Sequence, residues 1–490
     1  MTSLVSTPQP QAGPGIGARV RSAVAWRWGG QVLAQLVTWT TTILVVRLLD
    51  PQDYGLFAMS QAVLAAFNVL NGYGFATSLI QTHEAGERRI AQVFGLLIVS
   101  NLVLAAAQLI AAPLAARYYG QPLIADMLRI QALIFLTTPF IALPSALLAR
   151  AIEFRSQALI NLGCAAIGAA VALALAASGW GVWALVWAPI AMFASRALGL
   201  TIAARLLVWP SFDFRGSRDI IAFGGALTLS QVFWIVQSQA DVFIAGRSFV
   251  PHDLGLYSEA LFLTLIFTGR FLPPLNEVAL AAYAELAKTG RSLAPAFLQS
   301  ARLTMLLAAP LLVGLSLTAG PIVTSLFGPK WLEMIPIVAG LALAMPAMAL
   351  QIVCSPTTNA MGRPRTYLTT SIAGAVLMPA CYMIGVRFGP IGLVHAWQIA
   401  APALLALTLA LTLPMIGAKL RDLGAALLPV AAATGAMAAA VALLDLWAVQ
   451  FAPPLRLALL VGMGGLSYCG ALLLGWPHVV RETWAMLRRQ

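Results

Sequence analysis

The sequence contains few charged residues. Charged residues make up 9% of the 490 residues, against about 25% in ordinary soluble domains. Hydrophobic residues make up 60%, and the mean hydropathy is +0.87. The apolar runs reach about 20 residues, the length that a helix needs to cross a bilayer, and the short alternating segments of a membrane β-barrel are missing. We therefore predict an all-α integral membrane protein.

Other absences exclude whole classes of function. The four cysteines show no CxxC spacing, so neither a zinc site nor a disulfide framework is indicated. The 17 acidic residues are spread singly, and no polar insertion is long enough for a soluble catalytic domain, so we expect no enzyme active site. The net charge of +12 comes from scattered Lys and Arg, whereas a nucleic-acid-binding protein concentrates them on one face. We expect no nucleic-acid partner, no metal site and no cofactor.

What the sequence has in abundance is long apolar segments separated by short polar links. Residues 1–18 are polar and rich in Pro and Gly, and we interpret them as a disordered cytoplasmic tail. With the N-terminus inside, 22 of the 29 Lys and Arg residues fall on the inner side, so the positive-inside rule places both termini in the cytoplasm. Fourteen segments can be drawn, at roughly 26–46, 55–80, 90–113, 129–149, 158–178, 181–204, 221–246, 255–275, 300–320, 333–354, 366–386, 391–413, 425–444 and 455–476.

One polar string occurs twice. Residues 47–57 read RLLDPQDYGLF and residues 247–257 read RSFVPHDLGLY, and Gln31 and Val32 recur as Gln231 and Val232 at the same offset. We interpret this as a duplication in which segments 1–6 repeat as segments 7–12. Six helices per copy make the repeat parallel, as in transporters built from two bundled lobes. The predicted organisation is a tail at 1–18, an N-lobe at 19–210, a C-lobe at 211–415, and two further helices with the cytoplasmic C-terminus at 416–490.

The repeated string is typical of a turn between two helices. Arg47 can reach lipid headgroups or helix-terminal carbonyls. Pro51 stops the first helix, and Asp53 can accept hydrogen bonds from the free amides where the next one begins. Gly55 then allows close packing. A ligand role for Asp53 or Asp253 is the alternative.

The first segments resemble a known family. A basic start followed by AWRWGGQVLAQLVTWTTTILVVRLLDPQDYGLFAM, with NAMGRPR at 359–365, is similar to Wzx-type polysaccharide flippases. The nearest branch serves colanic acid and succinoglycan, within the superfamily of the lipid II flippases and the MATE exporters (the MOP superfamily). The resemblance covers about residues 19–480.

This resemblance implies a function. The chain would move undecaprenyl-pyrophosphate-linked oligosaccharide repeat units across the bacterial inner membrane by alternating access, for exopolysaccharide, capsule or lipopolysaccharide O-antigen synthesis. It would act with membrane lipids, a polysaccharide polymerase and glycosyltransferases, and without covalent chemistry. A MATE-like, cation-coupled antiporter of small molecules is the alternative.

Polar residues inside apolar segments are the candidate substrate-binding residues, because burying them in lipid is costly. Arg27 and Arg270 lie near the inner ends of segments 1 and 8, and a guanidinium group suits a pyrophosphate. The similar lipid II flippases use cavity arginines on the same two helices. The alternative for Arg27 is an interfacial anchor. For the sugar hydroxyls the candidates are Gln31, Gln35, Asn68 and Glu259.

Asp241 is the candidate for ion coupling. It lies on segment 7, and its counterpart in the first copy is Thr41, so the acid breaks the repeat. Similar lipid II flippases place an acidic cation ligand on this helix, together with acids on the eleventh helix, whereas segment 366–386 has none. Both Na⁺ and H⁺ stay open as the coupling ion. The alternative is a salt bridge from Asp241 to Arg47 or Arg247.

Overall fold

The computed structural model describes residues 16–71, 75, 76, 79, 86–151, 153–206, 208–215 and 235–488, and all regular structure in that part of the chain is helical. The side chains of residues 16–28, 270, 364, 367 and 483–488 lie outside this description. Helices dominate because lipid offers the backbone no hydrogen bonds. The predicted all-α class is confirmed.

In chain order, the helices are α1 (Ile16–Leu48), α2 (Pro51–Asn68), α3 (Glu87–Tyr119), α4 (Leu123–Gln131), α5 (Leu133–Thr137), α6 (Pro139–Arg150), α7 (Phe154–Ala177), α8 (Val182–Ala203), α9 (235–248), α10 (Pro251–Arg270), α11 (Leu272–Lys288), α12 (Ala294–Leu317), α13 (Ala319–Ile322), α14 (Ile335–Val353), α15 (Ser355–Ala360), α16 (Pro364–Gly385), α17 (Gly389–Ile416), α18 (Leu420–Ala448), α19 (Pro453–Gly475) and α20 (Pro477–Arg488). A π-helical turn (Val323–Phe327) and a 3-10 turn (Pro329–Met334) join α13 to α14.

Ten stretches of the described chain are long and apolar enough to span a membrane. One of them, Leu368–Ile416, contains two consecutive helices, α16 and α17. Helix α18 has 29 residues and is therefore about 43 Å long, which exceeds the hydrocarbon core. The chain is a multi-pass membrane protein. The count of fourteen helices stays a prediction, since α2, α9 and α10 are not among the ten stretches.

The described residues form two compact units. The first lies within Met1–Val45, Phe67–Leu114 and Ala125–Leu229, and the second within Val46–Ala66, Ala115–Ile124 and Ser230–Gln490. The second unit therefore takes in two short pieces of the sequence predicted as the N-lobe. The lobe boundaries themselves stay a prediction.

In the first unit, an extended stretch after α8 packs along α3. The amide of Ser211 donates to the carbonyl of Ala91, and a Cβ on Gly95 would lie 2.0 Å from the carbonyl oxygen of Ser211. Gln92 donates to the carbonyl of Asp213. These contacts fix the polar link that follows the sixth predicted segment.

In the second unit, the C-terminal hairpin of α18 and α19 has its own apolar core against α12. Met437, Val441 and Leu460 are buried in it. The hydroxyl of Tyr468 donates to the carbonyl of Leu306 at 2.9 Å. The two helices outside the repeat are thus bound to the rest of this unit.

Candidate functional site

The two repeated strings contact each other in the second unit, where α2 crosses α10. A Cβ on Gly55 would lie 1.7 Å from the carbonyl oxygen of Pro251, and a Cβ on Gly255 would lie 1.8 Å from that of Pro51. Each glycine thus accommodates the proline carbonyl of the other copy. Any side chain at either position would collide with backbone, so the predicted role of Gly55 in close packing is confirmed.

The helix start at α2 follows the predicted turn chemistry. Pro51 is the first helical residue, where its missing N–H costs nothing. The carboxylate of Asp53 accepts a hydrogen bond from the backbone amide of Asp50 at 3.2 Å, and the amide of Asp53 donates to the carbonyl of Asp50. The bond from the Asp50 amide to the Asp53 carboxylate is one half of a capping box, and the second bond is an ordinary backbone turn. Asp53 therefore has a structural role in this turn.

Residues 323–334, which we call the clasp, hold the end of α1. Nε of Arg47 donates to the carbonyl of Leu326 at 2.8 Å, and another guanidinium nitrogen donates to the carbonyl of Ser325. These carbonyls belong to the π-helical turn. The sequence predicts that Arg47 reaches lipid headgroups or the terminal carbonyls of its own helix, whereas the structure shows it bound to carbonyls from a distant part of the chain.

Trp331 is the buried centre of the clasp. Its side chain is 0% exposed, and its Nε1–H donates to the carbonyl of Val46 at 3.0 Å. Its ring packs edge-on against Tyr54, with centroids 5.4 Å apart, and against Phe327 at 5.8 Å. The indole thereby contacts the last turn of α1, the first turn of α2 and the π-helical turn.

Two ion pairs lie at the rim of the clasp. Nζ of Lys330 is 2.8 Å from Oδ1 of Asp50 and donates to the carbonyl of Leu48. Nε2 of His252 is 3.3 Å from a carboxylate oxygen of Glu333. Both pairs are exposed, so each contributes about 0–1 kcal/mol to the free energy of unfolding. The buried Trp331 side chain contributes more, because it is fully removed from solvent.

Arg247, the counterpart of Arg47, packs on aromatic rings. Its guanidinium carbon lies 5.2 Å from the ring centroid of Tyr118. Tyr118 stacks on Phe243 at 4.7 Å. A Cβ on Gly246 would lie 2.7 Å from the ring of Tyr119. The end of α9 thus packs closely on the last turn of α3.

Asp241 lies at the centre of a buried hydrogen-bond network. It is 1% exposed. Oδ1 accepts from the backbone amide of Val242 at 2.8 Å, and Oδ2 accepts from the hydroxyl of Tyr257 at 2.8 Å. Nε1 of Trp397 donates to the same hydroxyl at 2.8 Å. Since Arg47 and Arg247 are engaged elsewhere, neither forms the alternative salt bridge.

The sequence contains a signal for Tyr257 that the search for charged residues missed. The first copy has Thr41 where the second has Asp241, and Phe57 where the second has Tyr257. The carboxylate and the hydroxyl that donates to it are therefore both missing from the first copy. Residues that depart from the repeat together are candidates for contact. Trp397 carried no comparable signal.

Glu259 lies on α10, two residues beyond Tyr257. Its Oε2 atom is buried and has no hydrogen-bond partner among the described residues. The first copy has Met59 at this position, so this acid also breaks the repeat. A buried carboxylate oxygen without a donor is costly unless it is protonated or binds a ligand.

A cavity of about 430 Å³ lies in the second unit between α9, α10, α11, α14, α15, α16 and α17. Three amide side chains line it, Gln237, Asn276 and Gln351, together with seven Ser and Thr side chains. Trp397 forms part of its wall. No charged residue belongs to this lining within the described part of the chain.

The chain is similar to known proteins in sequence and in fold. Residues 44–336 match the model of a family described as "Polysaccharide biosynthesis protein". The chain belongs to this family. The match includes both repeated strings, α9 and the clasp.

Curated relatives of this family member include three bacterial proteins. The chain is 25% identical over 275 residues to the teichuronic acid biosynthesis protein TuaB of Bacillus subtilis (strain 168), covering 55% of this chain and 56% of TuaB. It is 26% identical over 313 residues to the succinoglycan biosynthesis transport protein ExoT of Rhizobium meliloti (strain 1021), covering 62% of each. It is 21% identical over 304 residues to the lipopolysaccharide biosynthesis protein WzxC of Escherichia coli (strain K12), covering 60% of each. The matches thus span about three fifths of these relatives.

The chain shares its fold with proteins of solved structure. The lipid II flippase MurJ in an inward closed conformation has a TM-score of 0.75 at 13% identity, covering 93% of this chain and 99% of MurJ. An inward-facing multidrug resistance MATE family transporter of the MOP superfamily has a TM-score of 0.61 at 16% identity, covering 79% of this chain and 94% of the transporter. The fold is that of the MurJ and MATE transporters.

The remaining predicted site residues are divided between the two units. The side chains of Arg27 and Arg270 lie outside the described part. Gln31, Gln35 and Asn68 lie in the first unit, whereas Glu259 and Asp241 lie in the second. Their roles stay predictions.

Gln31 and Gln35 belong to a polar stripe on segment 1 that also contains three threonines, and the threonine hydroxyls donate to the backbone of their own helix. Thr38, Thr41 and Thr42 each donate to the carbonyl four residues earlier, at 2.8–3.0 Å. Such bonds satisfy a hydroxyl inside an apolar helix. The amides of Gln31 and Gln35 are the members of the stripe that can offer donors to a substrate.

Proposed function

We propose that the chain is a flippase that moves undecaprenyl-pyrophosphate-linked oligosaccharide repeat units from the cytoplasmic to the periplasmic leaflet of a bacterial inner membrane. The flipped units would enter exopolysaccharide, capsule or lipopolysaccharide O-antigen. The observation that carries the proposal is the fold of a lipid II flippase over 93% of a chain from a polysaccharide biosynthesis family. One of the relatives is also named as a transport protein.

The proposed cycle is alternating access, with both termini in the cytoplasm. The distribution of Lys and Arg then puts the repeated turns on the periplasmic side. The reciprocal crossing of Gly55 and Gly255 and the clasp on α1 would form a periplasmic closure. For the substrate to leave outward, these contacts must separate and later re-form.

We propose that Asp241 couples the cycle to an ion and that this ion is H⁺. A hard cation takes several oxygen ligands, whereas both carboxylate oxygens of Asp241 accept hydrogen bonds and the Tyr257 oxygen accepts one from Trp397. The ring of Tyr382 packs against Trp397, with centroids 5.6 Å apart, and no further acid joins the set within the described residues. This arrangement supports H⁺ over Na⁺ in the proposal, because it offers few free oxygen ligands around a carboxyl group that can gain and lose a proton.

The coupling proposal is tested in proteoliposomes with Asp241→Asn. The amide keeps the size of the side chain but holds no exchangeable charge, so transport driven by a proton gradient should fall to the rate seen without a gradient. Retained gradient-driven transport in this variant removes Asp241 from the mechanism. Transport that follows a Na⁺ gradient at constant pH contradicts H⁺ as the ion.

For the substrate we propose that Arg27 and Arg270 attract the pyrophosphate, while Gln31, Gln35, Asn68 and Glu259 contact sugar hydroxyls. Charge removal at Arg270 should reduce transport more than charge removal at Arg27, which is flanked by tryptophans and can serve as an anchor. Equal tolerance of both changes contradicts the pyrophosphate assignment. A polymerase and glycosyltransferases are the proposed partners.

Deleting the gene tests the whole function. The expected result is loss of a surface or secreted polysaccharide, with lipid-linked repeat units accumulating in the inner leaflet. Unchanged polysaccharide together with new sensitivity to cationic drugs supports the alternative, a MATE-like antiporter, which the MATE fold likeness accommodates.

A further inference from the structure

The cavity between α9, α10 and α17 is lined by polar side chains that have no role in the proposed transport cycle. It holds about 430 Å³, within the range of about 300–1,000 Å³ that small-molecule sites occupy. Its seven Ser and Thr hydroxyls and three amides are spread over seven helices of the second unit. Lipid-facing helices gain nothing from such a concentration of polar side chains, so the lining needs an explanation.

Several of these polar groups are open to the cavity. The side chains of Gln237, Gln351 and Ser371 form no hydrogen bond with another described residue, and all three are partly exposed. Thr268 and Thr408, in contrast, donate to carbonyls of their own helices. The open groups therefore provide two amides and a hydroxyl, each able to donate and to accept.

The chemistry of the lining selects the occupant. A pyrophosphate would lose its hydration without gaining a cation, since no charged side chain lines the cavity within the described residues. A polyprenyl tail would leave the amides unsatisfied. A neutral sugar fits both requirements, because its hydroxyls match the amides and its C–H faces can pack on Leu265, Met348 and Leu404, which also line the cavity.

We infer that this cavity binds a neutral sugar of the lipid-linked substrate, apart from the pyrophosphate, an inference that rests on the proposed flippase function. The cavity then contributes to selecting the repeat unit by its sugar. Trp397 belongs both to the cavity wall and to the Asp241 network, so a sugar in the cavity contacts the residue that orients the Tyr257 hydroxyl.

Thiol protection tests this inference. Ser371→Cys is made in the full-length protein with the four natural cysteines replaced by Ala, reconstituted in nanodiscs, and labelled with N-ethylmaleimide, which is small and neutral. The ligands are undecaprenyl pyrophosphate carrying a neutral disaccharide and undecaprenyl pyrophosphate alone. At about ten times the dissociation constant the free fraction falls about tenfold, so the sugar-bearing lipid should slow labelling about tenfold, and the sugar-free lipid should not.

Ser292→Cys is the matched control. Ser292 is exposed in the link before α12 and lies outside the cavity, so its labelling should be the same with either lipid. As a second measurement, Gln351→Leu should weaken binding of the sugar-bearing lipid about fivefold, the effect of one neutral hydrogen bond. Binding of the sugar-free lipid should not change.

The possible outcomes distinguish failure of the sugar-binding inference from failure of the proposed flippase function. Equal protection by both lipids assigns the cavity to the lipid or the pyrophosphate and overturns the inference. Bound sugar-bearing lipid without protection at position 371 also overturns it, while the flippase function stands. If native mass spectrometry detects no binding of the sugar-bearing lipid at all, the proposed function fails and the inference fails with it.

Discussion

Gly255→Ala should separate the crossing of α2 and α10. The new Cβ would lie 1.8 Å from the carbonyl oxygen of Pro51, whereas ordinary contact begins at 3.4 Å, so the two backbones must move apart by about 1.6 Å. A gap of about 0.5–1 Å already forfeits a quarter to a half of a van der Waals contact. The packed crossing therefore loses its contacts as well as gaining strain.

The expected cost follows from comparable changes. Overpacking a well-packed site costs about 1–3 kcal/mol. The higher helix propensity of Ala relative to Gly offsets up to about 1 kcal/mol of this cost. A net cost of about 1–2 kcal/mol shifts a two-state population roughly 5–30-fold away from the packed crossing.

Crosslinking across the clasp measures that population. Cysteines replace Asp50 and Lys330, whose ion pair is exposed and contributes little, and a short bismaleimide joins them when the clasp is closed. Gly255→Ala should lower the crosslinking rate at least about fivefold, in line with the population shift. Gly465→Ala is the control, since that helical glycine has nothing within 4 Å and gains the same propensity. Equal crosslinking in the two variants would refute the assignment of the crossing as a closure.

Further substitutions test the hydrogen bonds of the network and of the clasp. Tyr257→Phe leaves the buried Asp241 carboxylate without one donor and Nε1–H of Trp397 without its acceptor. Each unsatisfied group should cost about 1–3 kcal/mol, so the thermal unfolding midpoint in detergent should fall. Tyr382→Phe removes a buried hydroxyl that has no partner among the described residues, so its midpoint should stay the same or rise; a similar loss in both variants contradicts the network. Trp331→Phe removes the bond to Val46 and buried volume, and should slow clasp crosslinking while leaving the expression level unchanged.

Features that depend on nearby residues could be predicted from the sequence. The turn at residues 47–57 combines Pro51, Asp53 and Gly55 within five positions. Pro51 and Gly55 act as expected, while Asp53 accepts from the amide of Asp50, just before the helix. The apolar segments were also visible, because a helix in lipid must be apolar over its own length. Both kinds of feature are local in the chain.

Features that depend on distant residues could not be predicted. Arg47 finds its carbonyl partners 278 and 279 positions away, in a π-helical turn that ends there. Trp397 contacts Tyr257 across 140 positions. The apolar segments predicted from the sequence leave out most of α11, because Leu272–Lys288 carries charged residues along one face.

The glycines that allow close packing occur in both copies of the repeat, whereas the Asp241 network occurs in only one. Gly55 and Gly255 are needed as a pair, because each receives the proline carbonyl of the other copy, so a change in either copy opens the same crossing. A proton-binding group has no such requirement, since one carboxylate with one hydroxyl donor is sufficient. Asp241 and Tyr257 could therefore arise in the second copy while the first kept Thr41 and Phe57. On this reasoning, installing Thr41→Asp with Phe57→Tyr should not restore transport to Asp241→Asn, because the described partners that complete the network, the Val242 amide and Trp397, belong to the second copy.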